Sequence, residues 1–178
     1  MIAALDVWRL KFIDESGVNL AMTRLYGRAP TGERVVGNVP RNYGQNITIL
    51  GALSAQGIEA VMTVEGATDA EVFRTYIKQV LGPTLSPGDI VVMDNLGAHK
   101  ATGIQQMLAR RGARLRYLPP YSPDLSPIEP CWSKLKTGLR SAKARTRAVL
   151  ETAITQTLTT ITMADARGWF SHCGYALH

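Results

Sequence analysis

Cysteine is scarce in this sequence. The two residues, Cys131 and Cys173, form no CxxC spacing, and His172-Cys173 has no second ligand pair at zinc-site distance. A disulfide framework and a structural zinc site are therefore excluded, and the pair reads as free thiols in a reducing cytoplasm. Long apolar runs are missing too: none approaches the roughly 20 residues that cross a bilayer, so no membrane partner is expected. The opening Met-Ile-Ala-Ala-Leu-Asp lacks the basic n-region and long apolar stretch of a secretory signal. The glycines make neither a P-loop nor a GxGxxG pattern, which argues against nucleotide hydrolysis and a dinucleotide cofactor. A Ser/His/Asp triad finds no Gly-x-Ser-x-Gly elbow to support it. No internal repeat, low-complexity segment or linker divides the chain.

Acidic residues are also outnumbered, 14 against 20 Lys and Arg, which leaves a formal charge of +6. The excess is clustered. Arg110, Arg111, Arg114 and Arg116 follow one another without an acid, and so do Lys134, Lys136, Arg140, Lys143, Arg145 and Arg147. A solvated helical face would look the same, but such blocks also suit a polyanionic partner. With 178 residues, 46% of them hydrophobic, the chain has material for one domain with a substantial core.

Periodicity predicts the elements. Val7 to Ile13 alternates, with Trp8, Leu10 and Phe12 on one side, Asp14 continuing that side, and Gly17 permitting a turn. Asn19 to Tyr26, Ile47 to Leu53 and Glu59 to Val64 read as further strands. Arg28 to Asn46 is a connection, Gln56-Gly57 a hairpin turn, and the whole an antiparallel meander. Thr68-Asp69-Ala70-Glu71 matches a capping box before a helix that Gly82-Pro83 stops. Asp89 to Met93 is an apolar run typical of a strand covered on both faces. A helix over about 102–111, a strand over 114–118, a proline-rich segment over 119–130 and a helical remainder follow. In that remainder Leu150, Ile154, Leu158 and Ile161 share one face of a helix beginning near Thr146. The pattern is α/β: a mixed sheet with helices on its faces.

Three acids stand in distinctive segments: Asp14 in Phe-Ile-Asp-Glu-Ser, Asp94 in Val-Val-Met-Asp-Asn, and Glu129 in Ser-Pro-Ile-Glu-Pro. Carboxylates at the ends of apolar strands are poorly solvated, and several that converge repel one another unless cations sit between them. Mg²⁺ or Mn²⁺, held by one or two carboxylates plus waters and phosphates, is the expected tenant, and two such ions equip a site for phosphodiester chemistry. Each acid has a structural alternative. Asp94 suits a turn, and His99 suits a helix cap as well as a hydrogen bond to a phosphate. Glu15 rivals Asp14 but faces the other way, and Ser16 suits an ordinary turn. Glu129 completes a capping-box pattern from Ser126, although Pro130 suggests a helix starting one turn later, and Asp124 is a rival third acid. If that helix begins near Glu129, Trp132, Ser133 and Lys136 share its face. Lys136 is then a phosphate contact, and Trp132 a packing residue rather than a base-stacking platform.

Taken in order, Phe-Ile-Asp-Glu-Ser, Met-Asp-Asn-x-x-x-His and Leu-Pro-Pro-Tyr-Ser-Pro-Asp-Leu-Ser-Pro-Ile-Glu-x-x-Trp-Ser-x-Leu-Lys resemble the DDE transposases of bacterial insertion sequences and the mariner superfamily. The 34 residues between Asp94 and Glu129 match the separation that family uses, and Ser126 stands where its motif usually has asparagine. The resemblance implies a ribonuclease H-like fold, a mixed five-stranded sheet flanked by helices, in which Asp14, Asp94 and Glu129 are the catalytic, metal-holding triad. It favours Glu129 over Asp124. It implies two Mg²⁺ or Mn²⁺ ions, with Asn95 and His99 in support, and nicking at the ends of a mobile element. The freed 3′-hydroxyl then joins target DNA, at a TA step in this family. Lys134, Lys136, Arg140 and Lys143 are the expected contacts to double-stranded DNA.

Family members carry an upstream helix-turn-helix region. Residues 1–178 are expected to form a single catalytic domain without it. A separately encoded helix-turn-helix partner, a homodimer and a nucleoid-associated location in the cytoplasm go with that expectation. A non-catalytic fragment that binds DNA or inhibits a full-length transposase is the alternative, and a nuclease that cuts without joining would share every metal ligand.

Overall fold

The computed structural model describes residues 6–94 and 103–177. Five strands form one sheet in the order β3-β2-β1-β4-β5. β1 (Leu10–Val18), β2 (Ile47–Ser54) and β3 (Gly57–Glu65) make the antiparallel meander, and β4 (Ile90–Met93) and β5 (Arg114–Tyr117) add in parallel beyond β1. Helices cover both faces. On one lie α1 (Ala70–Thr75), a π-helical continuation over Tyr76–Leu81, and α2 (Ile104–Ala109). On the other lie α3 (Ile128–Ala142), α4 (Arg147–Leu158) and α5 (Met163–His172).

Coverage from both sides explains why β2 and β4 are buried along their whole length. Strand alternation then sorts the core in two. Leu10, Phe12, Ile49, Leu53 and Val92 pack against Trp132, Leu135, Leu150 and Phe170, whereas Ile13, Leu50, Val91 and Met93 pack against Phe73, Tyr76, Ile77 and Leu108. Phe12, Phe170 and Tyr175 form an edge-on aromatic cluster with centroids 5.2 to 5.8 Å apart. Such pairs add about 1 kcal/mol each beyond the area they bury.

Several boundaries differ from those the periodicity predicts. Val7–Arg9 is a 3₁₀ turn rather than strand, because Asp6 caps it by accepting from the Trp8 amide at 3.0 Å. β1 does not turn at Gly17; its ladder with β2 runs on through Gly17 opposite Thr48 to Val18 opposite Ile47. No strand covers Asn19 to Tyr26. The Asn19 side chain accepts from the Ala21 amide and bends the chain away, leaving Leu25 and Tyr26 exposed. Asp69, not Thr68, caps α1, accepting from Glu71 and Val72. α3 starts at Ile128 despite Pro130, whose missing N–H falls in the first turn where no intrahelical acceptor exists.

The helical remainder is two helices. Thr146 caps α4 as expected, but the hydroxyls of Thr159 and Thr160 donate to the carbonyls of Gln156 and Thr157 and close the helix after Leu158. A Thr162/Asp165 capping box then opens α5.

α3 and α4 approach closely at Gly138. A β-carbon there would overlap the Thr157 methyl and lie 2.9 Å from its hydroxyl. Thr157 cannot swing aside freely, since that hydroxyl donates to the Ala153 carbonyl at 2.7 Å. Gly138→Ala is expected to destabilise the fold by about 1–3 kcal/mol in denaturant unfolding, and Thr157→Ala in the same chain to restore most of the loss.

Candidate active site

β1 is the central strand, and its alternation places Asp14 on the face of Leu10 and Phe12, as the sequence predicts. Because β1 and β4 run parallel with Ile13 opposite Met93, Asp14 and Asp94 are the next residues on neighbouring strands. Glu129 sits in the first turn of α3, where the helix dipole favours an acid. α3 is fixed to the sheet through Ile128, Cys131, Trp132, Leu135 and Leu139, all buried. The Trp132 indole N–H donates to Asp14 Oδ2 at 2.9 Å.

All three carboxylates line one cleft of about 440 Å³. Its far wall is the proline-rich segment, with Leu118 to Pro123 and Ser126 facing the acids. The Leu118 amide still donates to the Met93 carbonyl and extends the β4–β5 ladder, after which Pro119 and Pro120 cannot donate and the chain leaves the sheet. Tyr121 holds a left-handed backbone, φ +57°, and its ring is fully exposed at the rim. The wall is anchored from the carboxyl-terminal side, where the Tyr175 hydroxyl donates to the Leu125 carbonyl at 2.7 Å.

Asp14 is a poor acid here. Burial pushes its pKa from the ordinary 3.8 to about 6, and Glu129 and Asp94 push the same way. Hydrogen bonds from the Glu15 backbone and the Trp132 indole oppose that rise without cancelling it. Among the described residues no three acidic, histidine or cysteine groups close into a ready-made ligand cage. An all-oxygen, loosely convergent donor set with mutual repulsion fits a hard divalent cation that keeps waters and takes substrate phosphates as further ligands. It does not fit a soft or tetrahedral ion.

The other sequence candidates fare unevenly. Asn95 and His99 lie outside the described residues. Ser16 is buried within β1 rather than at a turn, and its hydroxyl has no partner among the described residues. Glu129 is not a cap; α3 begins after Pro127 without a side-chain cap. Asp124 lies outside the cleft lining, on the 3₁₀ turn Pro123–Leu125. Lys134 is held by Asp165 at 2.6 Å and by the Thr160 carbonyl at 2.9 Å, so it ties α3 to α5. Arg140 lies beside Arg24 and Tyr26 of the β1–β2 connection, Lys136 is half-buried, and Lys143 ends α3 exposed in a left-handed conformation. Trp132 is a packing residue as predicted, but its bond to Asp14 escaped the sequence; the three-residue spacing from Glu129 was its signal. Both cysteines are buried and free, and burial pushes the Cys131 thiol up to about 12.

Residues 9–151 match the family model described as DDE superfamily endonuclease. The Tcb2 transposase of a transposable element in Caenorhabditis briggsae is 25% identical over 143 residues, covering 75% of this chain and 52% of that protein. The chain thus spans about half the length of the curated relatives it matches. Among solved structures, a Mos1 transposase paired-end complex with left transposon end superposes with a TM-score of 0.77 at 12% identity, covering 94% of this chain and 52% of that one. A Mos1 mariner paired end complex with Mn gives 0.67 at 14%, with coverages of 94% and 53%. These likenesses show the ribonuclease H-like fold.

A raised carboxylate links stability to pH. Asp14 favours the folded state while protonated; that contribution is complete below about pH 4 and is lost as the pH rises through about 6. In chelator, unfolding free energy should fall by up to about 3 kcal/mol across that window. Asp14→Asn should flatten the slope, and Mn²⁺ should restore stability near neutral pH only in the wild type.

Proposed function

Because the chain belongs to the DDE superfamily endonucleases, we propose that it is a transposase catalytic domain that cleaves DNA at the ends of a mobile element and joins the freed end to target DNA. The observation that carries this is the meeting of Asp14, Asp94 and Glu129 in one cleft, where burial first, and then the charges of Glu129 and Asp94, raise the pKa of Asp14. Asp14, Asp94 and Glu129 would hold two divalent cations, Mg²⁺ or Mn²⁺, and such ions supply charge stabilisation at the phosphoryl oxygens and an activated oxygen nucleophile. The Mn named with one Mos1 complex supports that choice of metal.

The chain's own residues do the rest. Ile13 and Leu118 keep the floor of the cleft apolar, which strengthens the field of the carboxylates there. The proline-rich segment walls the cleft opposite the acids, so this chain's contribution is to orient the scissile strand against them. Double-stranded DNA is the proposed partner, with the transposon end named in a Mos1 complex as support. Its phosphates meet the exposed basic end of α3 and the half-buried Lys136. A homodimer pairing two DNA ends goes with the same proposal.

Purified chain incubated with supercoiled plasmid and Mn²⁺ tests it. Nicked and joined products are expected from the wild type. Asp94→Asn should lower the rate about a thousandfold, the scale of several kcal/mol of lost metal stabilisation, while keeping the native unfolding transition. Undiminished cleavage by the variant would refute the assignment. Nicks without joined products would make the protein a nuclease.

The lysines of α3 separate by role. Lys136→Ala should reduce the salt slope of DNA binding by about one, whereas Lys134→Ala should leave the slope intact. Lys134→Ala should instead cost at most about 1 kcal/mol of stability, since its partner Asp165 is partly exposed. Equal salt slopes in the two variants would contradict this division.

A further inference from the structure

We propose that Trp132 is a positioning residue for Asp14 and that Gly51 exists to admit it: the indole lies across β2 where a side chain is missing and fixes one oxygen of a carboxylate that would hold a metal ion.

Three independent features meet at this point. Gly51 is the residue directly opposite Asp14 in the β1–β2 ladder. A β-carbon on Gly51 would stand 2.8 Å from Trp132 Cη2 and 3.5 Å from Cζ2, closer than packed carbon atoms tolerate at the first contact. Gly51 has ordinary extended pairing with β1, so backbone conformation does not require glycine there; the ring does. The register between β2 and β3 also shifts between Leu50 and Ala52, with Ala60 at φ +50° across from the irregularity. The extra residue is on β3, where Ala60 and Val61 oppose the single Gly51, so the bulge bends the strand beside this point.

The indole is 2% exposed and its single polar atom donates to Asp14 Oδ2 at 2.9 Å. A tryptophan used only for packing needs no carboxylate, and a buried N–H without an acceptor would be costly. Together with the hydrogen bond from the Glu15 backbone, the indole bond restrains the Asp14 carboxylate about its last torsion, which is otherwise soft. The Glu129 helix carries Trp132 one turn on, so the same rigid element supplies one acid and aims another.

This inference rests on Asp14 being a metal-holding carboxylate, and the experiment separates the two. Mn²⁺ affinity of the full chain is measured by calorimetry, with denaturant unfolding alongside. The variants are Asp14→Asn, Gly51→Ala, Trp132→Phe, the pair Gly51→Ala with Trp132→Phe, and Trp132 replaced by its sulfur isostere 3-benzothienylalanine. The isostere keeps the ring and loses only the N–H, so it should fold like the wild type and bind Mn²⁺ about tenfold more weakly. Gly51→Ala should weaken binding similarly by displacing the ring, yet add little to Trp132→Phe, which has no Cη2 atom to displace. If Asp14→Asn weakens Mn²⁺ binding but the isostere does not, the positioning role is overturned and the metal site stands. If Asp14→Asn leaves Mn²⁺ binding unchanged, the metal reading of Asp14 fails and the positioning role with it. Additive losses from Gly51→Ala and Trp132→Phe would also overturn the proposal.

Discussion

Three carboxylates held in one partly dry cleft repel one another, and everything around them works against that repulsion. Without a cation the cost shows on Asp14, whose pKa climbs to about 6 under burial and the charges of Glu129 and Asp94. A flexible scaffold would relieve such strain by letting the acids drift apart. Here the acids sit on β1, at the end of β4 and on the first turn of α3, each locked into a core on at least one side. The scaffold is therefore stiff where separation would be easiest, which leaves a proton on Asp14 or a divalent ion between the acids as ways to lower the energy.

Stiffness comes from both faces of the sheet. The α3–α5 layer holds Glu129 through Trp132, Leu135 and Leu139, and α3 is in turn pinned by the close pass of Gly138 under Thr157 and by the Lys134–Asp165 pair. The opposite layer, α1 with its π-helical extension and α2, backs Ile13 and Met93, the residues immediately before the two strand acids. Tyr175 closes the frame by joining the aromatic cluster around Phe12 to the proline-rich wall. Folding energy and site geometry thus share the same residues.

Much of this was legible in the sequence. Asp94 could be placed because Ile90 to Met93 is an unbroken apolar run, which a doubly covered strand requires. Asp14 could be put on the correct face because Leu10 and Phe12 alternate with polar residues before it. What escaped depended on partners distant in sequence. That β1 runs on through Gly17 is decided by β2, not by a glycine's local preference. Asn19 to Tyr26 has a strand-like composition but no neighbouring strand to pair with. The contact between Trp132 and Asp14 spans 118 residues of sequence, and the absent side chain at Gly51 that makes room for it has no local signature at all. Lys134 looked like its basic neighbours until Asp165, one helix away, claimed it.

Asp14, Asp94 and Glu129 are proposed to form one divalent-metal site together. Anomalous diffraction at the manganese edge, from crystals of the chain grown with Mn²⁺, addresses it most directly. Density for manganese within coordinating distance of all three carboxylates, shared between one or two ions, is the predicted result. Manganese found only at other acids, or contacting none of the three, would contradict it.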